Sequence, residues 1–159
     1  MKLSGGYRPA DFEPDGSLRD VCVLGAGVDG WERLFEAVAA GPWPYQLERN
    51  GEPVQAADFS PAAHFAEVEA GADVSVRLSV SVEPIWFDSF LFEPEEIEFS
   101  FSPEDVAEGR NFGSLERFMI WLATVSERQA ILTMESSTGH VDAVPLLQTR
   151  ALYSSEGPG

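Results

Sequence analysis

The sequence predicts an α+β domain, an antiparallel β-sheet with helices packed mainly on one face. Three observations carry that expectation. Asp73 to Ser102 holds three strand patterns in succession. Amphipathic stretches with helix start and stop signals stand on both sides of it. Strands and helices do not alternate regularly along the chain, as a parallel sheet would require. At 159 residues, with 44% hydrophobic content and 11 Phe, the chain suits one folded domain, 1–159. Its ends, 1–10 and 154–159, are expected to be loose, with Phe12 docking on the core.

In chain order, Asp15-Gly16 is a turn signal, and Leu18 to Leu24 reads as a first strand. Asp29-Gly-Trp-Glu32 has capping-box spacing, so Asp29 is expected to open a helix. Trp31, Leu34, Phe35 and Val38 form its apolar stripe; Gly41, Pro42 and Pro44 end it. Tyr45 to Arg49 is a short strand, turned by Asn50-Gly51 into Pro53 to Ala56. Ser60-Pro61 opens a second helix, running to about Ala70.

In the central stretch, Val74, Val76, Leu78, Val80 and Val82 alternate with polar residues, a strand with one buried face. Ile85 to Phe92 is apolar almost throughout and belongs inside the sheet. Glu96 to Phe101 alternates again, with Ile97, Phe99 and Phe101 inward. Ser102 to Asp105 has capping-box spacing for one helical turn ending at Gly109. Ser114 is expected to start the principal helix, Leu115 to about Arg128, with Leu115, Phe118, Met119, Leu122 and Val125 as its core stripe. Glu116 and Arg128 would complement its dipole. Ala130 to Met134 reads as a strand, Ser136 to Val141 as a polar loop, and Pro145 to Tyr153 as an edge strand.

No stretch carries a catalytic signature. Gly25-Ala-Gly27-Val-Asp-Gly30 spells a dinucleotide-binding pattern after a strand. Asp29 would repel a pyrophosphate there, and a hairpin follows where a second parallel strand is needed. Nucleotide binding is therefore not expected. His64 has no second ligand at metal spacing and reads as a surface or partly buried structural histidine. Cys22, the only cysteine, lies in an apolar run and reads as a buried small hydrophobe. No calcium-loop spacing and no nucleophile elbow is present. The sequence implies no cofactor, no metal and no catalytic residue.

Charge is more informative. The net charge is −17, from 27 acidic and 10 basic residues. That balance argues against nucleic acid and against anionic membrane surfaces. It suits a basic protein partner, because opposite fields steer association. No Lys or Arg occurs from Leu78 to Gly109, a stretch dense in Asp and Glu. Alternation puts Trp86, Asp88, Phe90 and Phe92 on one side of the second central strand. With Glu96 and Glu98 from the next strand, this side reads either as a solvated acidic face or as a partner-binding face. The recognition reading names Trp86, Asp88, Phe90, Glu96 and Glu98. No apolar leader or membrane-length segment is visible, so a cytoplasmic protein is expected. The oligomeric state is not legible.

Several segments resemble small bacterial immunity proteins of polymorphic toxin systems. They are Phe12-Glu-Pro-Asp-Gly-Ser-Leu-Arg-Asp, the helix carrying Trp31, Phe87-Asp88, Glu96-Ile-Glu-Phe and Ile131-Leu-Thr-Met-Glu135. The similarity runs over roughly 7–147 and concerns structural punctuation. The resemblance implies an acidic, single-domain, cytosolic protein that binds and neutralises a cognate toxin domain. It implies no particular site residue. The alternative is a small-ligand-binding or regulatory domain with a pocket between the 115–128 helix and the sheet.

Overall fold

The computed structural model describes residues 6–134 and 147–148. The fold is α+β. Eight antiparallel strands form one sheet in the order β3-β2-β4-β5-β6-β1-β7-β8. They are β1 (Arg19–Leu24), β2 (Tyr45–Arg49), β3 (Glu52–Pro53), β4 (Val76–Val82), β5 (Ile85–Ser89), β6 (Glu96–Phe101), β7 (Ile131–Met134) and β8 (Leu147–Gln148). Among the described residues three α-helices accompany them: α1 (Gly27–Ala40), α2 (Pro61–Glu69) and α3 (Phe112–Ser126). Among the described residues, no helix is long and apolar enough to cross a membrane.

The three central strand patterns form β4, β5 and β6, side by side and inside the sheet. Their alternation fixes which face is covered. Val80 pairs with Phe87, and Val21 with Phe99, so these residues share the face beneath the helices. There α3 seats Phe118 flat against Phe87 at 3.8 Å between ring centres, with Phe99 edge-on at 5.1 Å. Leu115, Phe118, Met119 and Leu122 are all fully buried, as the helical stripe requires. The space between α3 and the sheet is thus filled by side chains. Helix α1 packs beside α3 and over β6, and α2 packs on α1.

Several boundaries depart from the sequence reading. Helix α1 begins at Gly27, with Ala26 as N-cap and no capping side chain. Asp29 lies within its first turn, where a carboxylate still favours the dipole. The expected capping box does not form: Glu32 instead accepts from the Ala62 amide at 3.2 Å and ties α2 to α1. Helix α3 likewise starts before Ser114, with Asn111 in the left-handed region as N-cap. The Ser114 hydroxyl donates to the Glu83 carbonyl at 2.8 Å and fastens α3 to the β4–β5 turn. Glu116 is outside the first turn, and Arg128 lies beyond the end of α3. Strand β5 stops at Ser89 rather than Phe92, and β3 spans only Glu52–Pro53.

Other expectations match. Ser60 caps α2, accepting from the Ala63 amide at 3.1 Å. Ser102 accepts from Glu104 above a short 3-10 segment. Cys22 is buried. Phe12 is buried on the core, and Tyr7 stacks on it at 5.7 Å while Arg8, Pro9 and Ala10 are exposed. The loop expected at Ser136 to Val141, most of the edge strand expected at Pro145 to Tyr153, and the tail 154–159 lie outside the described residues.

Candidate functional site

Strands β5 and β6 register only at Asp88 and Ser100. Beyond that point they part, and the separation opens a cleft at the end of the sheet. The turning residue is Leu91, with φ of 51°, a left-handed conformation uncommon for a branched aliphatic side chain. Leu91 is nonetheless buried, and its backbone engages the buried His64 ring. The rest of the connection is pinned to α1. The Trp31 indole donates to the Glu93 carbonyl at 3.2 Å, and the Ala26 amide donates to the Glu95 carbonyl at 2.8 Å. A buried side chain and two hydrogen bonds therefore hold the 90–95 segment in place.

The cleft has a volume of about 500 Å³. Phe90 and Phe92 form one wall, stacked at 5.8 Å and exposed by 47% and 75%. Glu93, Glu95, Glu96 and Glu98 supply the carboxylates, while Leu24 contributes apolar surface beside the buried Trp31. No Lys or Arg lines it, although the Arg128 guanidinium lies against Gly25 at the rim. Burial raises the Glu96 carboxyl above the usual range, and the charges of Glu93 and Asp20 push it further. Like charges are thus gathered with no Lys or Arg in the lining. Cys22 Sγ and carboxylate oxygens of Glu96 and Glu98 also lie within 4.8 Å of one another.

The five residues expected to meet a partner divide into two groups. Phe90, Glu96 and Glu98 line the cleft. Trp86 and Asp88 lie further along β5 on the same side of the sheet, opposite Ser81 and Ser79. Trp86 is 42% exposed and available for contact. Asp88 is engaged internally, accepting from the Ser79 hydroxyl at 2.6 Å and from Arg77 at 3.3 Å. Its charge is largely spent within the sheet. Sequence reasoning did not mark Trp31, Phe92, Glu93 and Glu95 as one cluster. The signal was present in the mixed run Phe90-Leu-Phe-Glu-Pro-Glu-Glu, where a strand pattern gives way to acids around a proline.

The Gly25 to Gly30 pattern has a structural explanation. Gly25 and Gly27 take positive φ in the turn from β1 to α1, and the next strand, β2, is separated from β1 by three strands and paired antiparallel with β3 and β4. A dinucleotide site needs a β-α-β unit in a parallel sheet, and here β4, β5 and β6 stand between β1 and β2 with every neighbouring pair antiparallel. No protein-family model, curated protein or solved structure matches the chain.

Proposed function

We propose that the chain is a non-enzymatic immunity-type protein that binds a basic toxin domain in the cytoplasm and neutralises it. The observation that supports this reading is the convergence of exposed aromatic rings and carboxylates at one end of the sheet. Phe90, Phe92, Glu93, Glu95, Glu96 and Glu98 meet there on a molecule of net charge −17. Trp86 extends the surface along β5. Aromatic anchors inside a charged rim suit protein recognition, and the field favours a cationic partner. Neither a nucleic acid nor an anionic membrane suits this surface.

The test is co-expression with each candidate toxin domain found among the genes that neighbour this chain in its native genome. Growth should be restored, and the two proteins should bind in surface plasmon resonance. Glu96→Gln with Glu98→Gln should mainly slow association and flatten its salt dependence. Trp86→Ala should mainly speed dissociation, at a cost of about 2 kcal/mol or more if it is an anchor. A chain that neither restores growth nor binds would end the immunity reading. The second reading, a small-ligand-binding domain, draws on the volume of the cleft, which lies within the roughly 300–1,000 Å³ of small-molecule sites. Its ligand would sit there, because the space between α3 and the sheet is filled.

A further inference from the structure

We infer that the cleft where β5 and β6 part captures an arginine side chain of the partner, its guanidinium stacked on Phe90 and Phe92 and paired with the surrounding glutamates. The inference rests on the reading that this end of the sheet meets a basic protein. Four properties of the cleft favour it. At about 500 Å³ it accommodates a long side chain rather than a folded element. Its aromatic wall is exposed and has no cation on it among the described residues. Its carboxylates, Glu93, Glu95, Glu96 and Glu98, approach from the β6 side without a lining Lys or Arg. Its turn is held open before any ligand arrives, by the Trp31 and Ala26 hydrogen bonds and by the buried Leu91. A preorganised site loses less entropy on binding.

Guanidinium fits this lining better than ammonium. It is planar, so it can lie on a ring while its edge donates to a carboxylate in the same geometry. A lysine offers a point charge that does one of these well at a time. Placing a cation beside Glu96 would also relieve the repulsion that Glu93 and Asp20 exert on it.

The experiment titrates the isotope-labelled full chain with N-acetyl-arginine methylamide and, separately, with the lysine equivalent, by nuclear magnetic resonance. Arginine should shift the signals of residues 90–98 and the Trp31 indole N–H, binding about three- to tenfold more tightly than lysine. Phe90→Ala with Phe92→Ala should remove that preference while leaving the remaining spectrum in place, since Phe92 is largely exposed and Phe90 about half so. Glu96→Gln with Glu98→Gln should weaken both ligands. Saturation with arginine should lower the titration midpoint of the Glu96 carboxyl. Equal affinities, or shifts confined to other parts of the surface, would overturn the assignment. So would zinc or magnesium shifting these residues where arginine does not, which would give the cleft to a metal. A toxin domain that binds both double variants as tightly as the native chain would remove the arginine cleft and leave the immunity reading standing. Arginine capture by a chain that relieves no toxin would do the reverse.

Discussion

His64 shows how one side chain connects the core to the cleft. It is 4% exposed, lies against Phe59 and Phe65, and leaves Nδ1 without a partner. Burial lowers its pKa first, and Arg49 lowers it too. The Leu91 backbone and Glu67 oppose them but do not prevail. The folded state therefore binds a proton less readily than the unfolded chain. As pH falls through about 6.5, the unfolded chain protonates first and stability declines. Glu96 and Asp105 act with the opposite sign, because burial and neighbouring acids raise their pKa values in the fold. Their strain eases as pH falls. The expected outcome is a fall in urea midpoint between pH 7.5 and pH 5.5 that His64→Leu reduces or reverses. An unchanged pH dependence in that variant would show that the ring titrates alike in both states. The sequence marked His64 as a surface or partly buried structural histidine for want of a second ligand, and the ring is instead buried. Arg19 was not legible in the same way. It sits in a strand beside apolar residues, yet it is 1% exposed and donates to the carbonyls of Asp11, Glu13 and Leu18. Burial of that charge depends on how the preceding loop wraps around it, and local pattern carries no trace of such a wrap.

At the scale of elements, pattern was most legible where one periodicity ran long. The stripe of α3 and the alternation of β6 were read correctly because each side chain's face follows from its position, but in β4 Ser79 and Ser81, expected on a wet face, are buried. Helix starts were read less well. Asp29 and Ser114 have capping chemistry, but Glu32 and Ser114 serve contacts distant in sequence, with Ala62 and Glu83. Such partners compete with local caps and cannot be seen in a window of four residues. The end of β5 was missed for a related reason. Phe90 to Phe92 has strand composition, yet the left-handed Leu91 ends the ladder, and that turn is secured by Trp31 from another element. The candidate site is therefore half legible: its residue types and its face could be read, its concavity could not. Leu122 tests the part that was read. It is fully buried at the centre of the stripe. Leu122→Ala should cost about 2–5 kcal/mol in urea denaturation, from lost transfer energy and the cavity left behind. A loss below about 0.5 kcal/mol would contradict the close packing against Phe87 and Phe99 described for this helix.

For the whole molecule, repulsion among like charges competes with a few ion pairs. The net charge of −17 is spread over one small domain, and no cation lies between residues 78 and 109. Among the described residues the ion pairs are Arg8–Asp11, Arg19–Asp15, Arg33–Glu127, Arg49–Glu67 and Arg77–Asp88, and each has at least one well-exposed partner. Exposed pairs contribute little, and salt weakens them. Repulsion across the acidic end of the sheet is also screened by salt, with the opposite effect on stability. The long-range term should dominate here because acids outnumber bases 27 to 10. Raising sodium chloride from about 10 mM to about 150 mM shortens the screening length from roughly 30 Å to roughly 8 Å. The melting temperature should then rise, and relief of about 1 kcal/mol would correspond to roughly 2–4 °C for a domain of this size. Glu96→Gln with Glu98→Gln should raise it at low salt and make it less sensitive to added salt, since two charges leave the crowded cleft. The measurement is a thermal melt of both proteins across the salt series. A melting temperature that falls with salt would mean that the ion pairs outweigh the repulsion. An unchanged response in the double variant would instead place the repulsion elsewhere on the surface and weaken the case for a cleft that awaits a cation.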